Sequence, residues 1–179
     1  IAGVKPDVSL NIVGKGVASM LLAGGAVFDA IQDSHNVHLS HFSLVTKGGP
    51  GDVRCMVVRD CAHVCLEHLA FDVGAEGPAI GLSGALAEIA MAHCTIRANV
   101  GIGTLAASTG AATGISGLRI EDNEFECHGR GMHFARDSIH QSLTRIAGNR
   151  VVLCNEAGLV LEGATVPGFG VDVSGNTFQ

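Results

Sequence analysis

Six copies of one spacing run along the chain, and no other feature restricts its fold as strongly. The clearest copy places side chains at Leu118, Ile120, Asn123 and Phe125. The same offsets recur at Val37-Leu39-Phe42-Leu44, Val64-Leu66-Leu69-Phe71 and Ile89-Met91-Cys94-Ile96. They recur again at Thr144-Ile146-Asn149-Val151 and Val171-Val173-Asn176-Phe178. The second members fall at 39, 66, 91, 120, 146 and 173, at intervals of 27, 25, 29, 26 and 27 residues. A period of about 20–50 residues is the mark of a stacked repeat, in which each unit buries its apolar side against its neighbours.

Within each copy the first two positions are two apart, which is strand alternation, and so are the last two. The step between the pairs is three, which breaks the parity. One straight strand cannot turn all four side chains to the same face, but two short strands joined at a sharp corner can. A further strand follows in most copies, with inward pairs Met56/Val58, Ile80/Leu82, Ile102/Thr104, Met132/Phe134 and Leu159/Leu161. The connections are too short for crossover helices, which need a dozen or more residues each. Equivalent strands therefore stack in parallel at about 4.8 Å. The expectation is an all-β chain wound as a parallel β-helix of about six to seven coils. The alternative, an antiparallel sandwich, does not require a fixed period with matched corners.

One domain is expected over residues 1–179, with 1–36 as a degenerate first coil or cap and 37–179 as the repeats. In the first coil, Val8 and Leu10 would be followed by Met20 and Leu22, with Leu10 aligned to Leu39. Residues Gly24 to Ile31 would then be extra and pack over the end. The sixth copy stops at Phe178 without its second strand. The chain is accordingly expected to be a fragment of a longer one, or to have that end covered, with self-association end to end or side by side through uncapped coils.

Composition agrees with thin strands and frequent turns: 47% of residues are hydrophobic and 25 are Gly, with 7 Phe and no Trp or Tyr. Eleven basic against 17 acidic residues give a net charge of −6. No Lys/Arg cluster is present, so a nucleic-acid partner is not expected. The longest uncharged stretch, Ala98 to Leu118, holds five Gly and five Ser/Thr. It reads as loop and strand, so no membrane span is expected. The six cysteines are Cys55, Cys61, Cys65, Cys94, Cys127 and Cys154. A chain this long does not need disulfide staples, so free or buried thiols are expected, with a Cys55–Cys61 bridge as the main alternative.

The stretches Gly117-Leu-Arg-Ile-Glu-Asp-Asn-Glu-Phe125, Ile146-Ala-Gly-Asn-Arg-Val151 and Val171-Asp-Val-Ser-Gly-Asn-Thr-Phe178 resemble right-handed parallel β-helix repeats of the pectin-lyase-like superfamily, including its carbohydrate-binding and sugar-hydrolase repeats. The resemblance covers roughly residues 37 to 178 and implies a right-handed winding. Asn123, Asn149 and Asn176 match the stacked corner asparagines of such helices, whose amides would bond along the stack. The Asn-Thr-Asp, Asp-Asp and Gly-His-Gly segments of the glycosidase branch are missing, as is the Asp cluster of the calcium-dependent lyases. The fold alone therefore carries no activity.

Two outward groups are candidates for chemistry. His41, His68, His93 and Asp122 occupy equivalent places on consecutive coils, followed there by Gly148 and Gly175. They could ligate a metal, since imidazole suits Zn or Cu. The competing reading is a left-handed corner, because Gly, His and Asp are favoured at positive φ. The second group is His133, Arg136 and Asp137, with His133 as a general base and Arg136 neutralising a substrate carboxylate. Arg59, Asp60 and Glu162 occupy related strand ends as candidate substrate contacts. A solvated strand end with a weak Arg–Asp pair is the alternative. The variable loops Val45 to Arg54 and Leu105 to Ser116 offer no nucleophile–base pair.

These readings favour a carbohydrate-binding or polysaccharide-processing domain of an extracellular or cell-envelope protein, with a polysaccharide partner and no cofactor. A structural or adhesive spacer without chemistry is the alternative. The absence of Trp and Tyr removes the usual sugar-stacking platforms and weighs mildly against tight glycan binding.

Overall fold

The computed structural model describes residues 10–16, 20–23, 28–46, 54–74, 77–105, 113–135, 138–139, 144–162 and 170–179. They form strands and connections with no helix, stacked in parallel as a β-solenoid of about five turns. That is slightly fewer than the six to seven expected.

Numbered along the chain, the first face is β1 (Leu10–Val13), β4 (His35–Ser40), β7 (Ala62–Glu67), β10 (Ala85–Ala92), β12 (Gly114–Glu121), β14 (Thr144–Ala147) and β17 (Val171–Ser174). They pair in that order. The second face contains β2 (Met20–Ala23), β5 (Ser43–Thr46), β8 (Ala70–Val73), β15 (Arg150–Val152) and β18 (Thr177–Phe178). The third contains β3 (Phe28–Gln32), β6 (Met56–Arg59), β9 (Pro78–Ser83) and β16 (Ala157–Leu161). Strands β11 (Thr95–Thr104) and β13 (Glu124–Phe134) run through both, with a register shift between Ala98 and Val100 where the chain bends.

The register follows the repeat. Leu39 lies beside Leu66, which lies beside Met91, then Ile120, Ile146 and Val173. Leu44, Phe71, Ile96, Phe125, Val151 and Phe178 form the matching column on the second face. Both columns are buried until the last coil, where Val173 and Phe178 are exposed. The expected third-face column is also formed, with Met56 beside Ile80, Ile102, Met132 and Leu159 in turn. Each fully buried Leu, Ile or Phe contributes roughly 1.5–3 kcal/mol, so these columns hold the coils together.

The corner after the first face is left-handed in six successive coils, from His41 to Gly175. His41, His68, His93 and Asp122 have φ of 62°, 51°, 54° and 55°, and Gly148 and Gly175 have 67° and 64°. One residue further, the expected asparagine ladder is present. Asn149 Nδ2 donates to Ile120 O at 2.8 Å and to Asn176 Oδ1 at 2.9 Å. Asn149 Oδ1 accepts from the main-chain N–H of Asn123 at 3.0 Å and from Asn123 Nδ2 at 3.0 Å. Asn123 Oδ1 in turn accepts from the N–H of Cys94 at 2.9 Å.

The first coil is more regular than its sequence implies. Leu10 pairs with Val37 and Ile12 with Leu39, so the interval is 27 and not the expected 29. Leu21, rather than Leu22, lies opposite Leu44. Residues 28–32 are not an extra cap: β3 pairs with β6 as an ordinary third-face strand. Consecutive apolar residues in Ile12-Val13 and Leu21-Leu22 gave no parity in the sequence, and the ladder chose it. Val8 and residues 24–27 lie outside the described residues.

The bend from second to third face uses small residues. Gly101, Gly131 and Gly158 are stacked neighbours in this register. A Cβ on Gly131 would meet Gly158 O at 2.4 Å and Val151 Cγ1 at 2.5 Å. Close approach of the coil backbone to the second-face core therefore requires glycine there.

Candidate functional site

His133 projects outward from β13, half-buried, beside Gly103 on one neighbouring strand and Val160 on the other. Its Nε2 lies 2.8 Å from Glu162 Oε1, and Arg130 Nη1 lies 3.3 Å from its Nδ1. Arginine can only donate, so Nδ1 accepts and Nε2 carries the proton given to Glu162. Arg130 Nε also donates to Glu156 Oε2 at 2.7 Å. The result is a chain Glu156–Arg130–His133–Glu162 across adjacent coils. Both ring nitrogens are engaged, which leaves no lone pair facing a substrate proton. Arg136 and Asp137, the expected companions of His133, lie outside the described residues.

Arg59 and Asp60 are not brought to Glu162. Arg59 lies on β6 and Glu162 follows β16, separated by β9, β11 and β13. Four rungs at about 4.8 Å put them roughly 19 Å apart. Asp60 takes a corner instead, with φ 49° and Oδ1 accepting from Ala85 N at 2.8 Å. In the histidine column the rings of His41 and His68 lie 4.7 Å apart and tilted, and those of His68 and His93 stack at 5.0 Å. Left-handed backbone accounts for these residue types. Among the described residues, the His/Cys/Asp/Glu group whose candidate ligand atoms all lie within 4.8 Å of one another is a different one: His38, Cys65 and Glu67.

That cluster belongs to the outer surface of the first face. There the register aligns Asn11, His38, Cys65, Ala90, Arg119, Arg145 and Asp172 in one outward column. Glu67, Ala92 and Glu121 form the column two residues along. Arg145 pairs with Glu121 at 2.6 Å and approaches Asp172 at 3.6 Å. Glu121 is thereby taken, and Arg119 has no ion-pair partner among the described residues. Two adjoining grooves, of about 520 and 490 Å³, are both lined by the exposed Arg119. Sequence reading missed this surface because it followed the corner and the third face. Reading the position between the two inward residues of each copy would have found it.

All six cysteines are free thiols, so the Cys55–Cys61 bridge does not form. Cys61 Sγ donates to Ile31 O at 3.2 Å, and Cys94 Sγ to Ala92 O at 3.3 Å. Each thus serves a corner as an asparagine does elsewhere. Burial, with a smaller effect of Asp72, pushes Cys55 up to about 12. Burial likewise takes Cys94 and Cys127 to about 12. Half-buried Cys65 rises to about 11, through desolvation first and Glu67 second.

The fold defines a parallel β-solenoid. Family models, curated proteins and solved structures give no match to the chain. No helix among the described residues is long and apolar enough to cross a membrane.

Proposed function

We propose that this β-solenoid is a glycan-binding module that holds an acidic polysaccharide along the outer surface of its first face. The observation that supports this reading is Arg119, an exposed cation without an ion-pair partner among the described residues, shared by two adjoining grooves. The grooves together reach from β7 to β17, about 19 Å at four rung spacings. Ala87, Ala90 and Gly117 leave space over one of them. A carboxylate or sulfate of a linear glycan would meet the guanidinium, which suits planar anions better than an ammonium does. Ring faces are not the means of recognition, since the chain has no Trp or Tyr.

This reading favours binding over processing, because both nitrogens of His133 are already occupied. It fits the resemblance to pectin-lyase-like repeats and an extracellular or envelope location. Binding to an acidic polysaccharide panel, with neutral dextran as control, tests it. Arg119→Ala should weaken acidic-glycan binding about tenfold, and added salt should weaken it further. No binding across the panel, or an unchanged affinity in the variant, defeats the proposal.

A second reading, a structural spacer, is favoured by the way the other faces neutralise charge between coils. Arg97–Glu126 at 2.9 Å, Arg130–Glu156 at 2.7 Å and Arg150–Glu124 all join adjacent rungs. Failure of the glycan panel would leave this reading standing.

A further inference from the structure

We propose that His38, Cys65 and Glu67 form a binding site for a zinc-like divalent transition metal on the outer surface of the first face. The site goes beyond glycan binding and does not depend on it.

Strand register creates the constellation. His38 of β4 and Cys65 of β7 are direct partners in the parallel ladder, so their side chains leave the sheet side by side. Glu67 lies two residues beyond Cys65 and therefore points to the same side. The ligand atoms of all three lie within 4.8 Å of one another, and His38 Nε2 is 3.6 Å from Glu67 Oε2. A tetrahedral zinc with ligand bonds of about 2.0–2.3 Å spaces its ligands about 3.5 Å apart. The His–Glu edge already has that length. The other edges are no longer than 4.8 Å, so side-chain rotation has to close them by about 1 Å at most.

The donor set selects the metal class. One imidazole nitrogen, one sulfur and one carboxylate oxygen suit zinc or cobalt, whereas calcium and magnesium take oxygen ligands. On the β10 side, small neighbours leave the ligands open for the ion and a water in the fourth position. On the next rung Cys65 is flanked by Ala90 and Glu67 by Ala92, neither of which can reach over the site. The ligands stand on hydrogen-bonded strands, so their spacing is preset by the ladder rather than by a loop. An ordinary His38–Glu67 surface pair explains two of the residues. It does not explain a half-buried thiol placed within ligand reach of both.

The test uses the full chain, reduced and stripped with a chelator, titrated with Zn²⁺ by calorimetry and with Co²⁺ by absorption. One metal per chain is expected, with a thiolate-to-cobalt charge-transfer band. Loss of a residue that only supports a ligand costs about 10–100-fold in affinity, so loss of a ligand should cost about 100-fold or more. Cys65→Ser should abolish the band, and His38→Ala and Glu67→Gln should each weaken binding. Cys154→Ser and His68→Ala should bind as the parent does. All five positions are at the surface or half-buried, and circular dichroism of the metal-free variants should match the parent. A band that survives Cys65→Ser, binding lost in His68→Ala but kept in His38→Ala, or no stoichiometric uptake by the parent would each overturn the proposal.

Discussion

Replacing Asn149 by alanine removes the middle member of the corner ladder. Asn149 is 1% exposed and Asn123 2%, so water cannot readily take over. The substitution leaves the main-chain N–H of Asn123 without its 3.0 Å acceptor and Ile120 O without its 2.8 Å donor. Each buried polar group deprived of its partner costs about 1–3 kcal/mol, which places the total near 2–6 kcal/mol. For a chain of this size each kcal/mol lowers the melting temperature by about 2–4 °C. Asn149→Asp is the sharper variant. It keeps an acceptor for Asn123 but turns an oxygen toward Ile120 O and Asn176 Oδ1, so it should cost at least as much. Asn176→Ala, at the half-buried end of the ladder, should cost less. Urea titration gives the free energies, and hydrogen exchange at Asn123 shows whether the loss is local, since solenoids can unravel from an end. A loss below about 0.5 kcal/mol for Asn149→Ala, which is the scatter of ordinary surface substitutions, would refute the ladder as a source of stability.

Gly131→Ala should destabilise by about 1–3 kcal/mol, as overpacking does. The new Cβ would meet the Gly158 carbonyl oxygen, which cannot rotate away; unchanged urea midpoints would count against a backbone constraint at this bend. In the native state, alkylation should reach half-buried Cys65 and Cys154 first and leave Cys55, Cys94 and Cys127 unlabelled until the chain unfolds, as mass spectrometry of quenched samples can read. For those three thiols the folded value lies above the ordinary 9.0, at about 12. The folded state therefore holds these protons more tightly than the unfolded one. The stabilisation is complete below pH 9.0 and is lost as the pH rises toward about 12. A flat stability profile across that window would contradict the burial of these thiols.

Much of the fold was legible in the sequence. The step of two, three and two told the inward columns from the corner, because the need to bury apolar side chains leaves a periodic record. The His41, His68, His93, Asp122, Gly148 and Gly175 series likewise recorded a left-handed backbone, and the three asparagines recorded its hydrogen bonds. The first coil was harder to read. Ile12-Val13 and Leu21-Leu22 are apolar at both parities, so alternation could not set the register.

From residue 37 onward, the sequence by itself determined which residues face inward and where each coil turns. Only the tertiary structure decided how the outward side chains pair across the coils. Those positions are not selected for burial and leave no period. Their adjacency depends on how connections of unequal length bring each strand into hydrogen-bonded register with the last. The ladder set His38 beside Cys65 and left Arg59 four rungs from Glu162. It also gave Glu121 to Arg145, which leaves Arg119 without an ion pair among the described residues, at the junction of the two grooves.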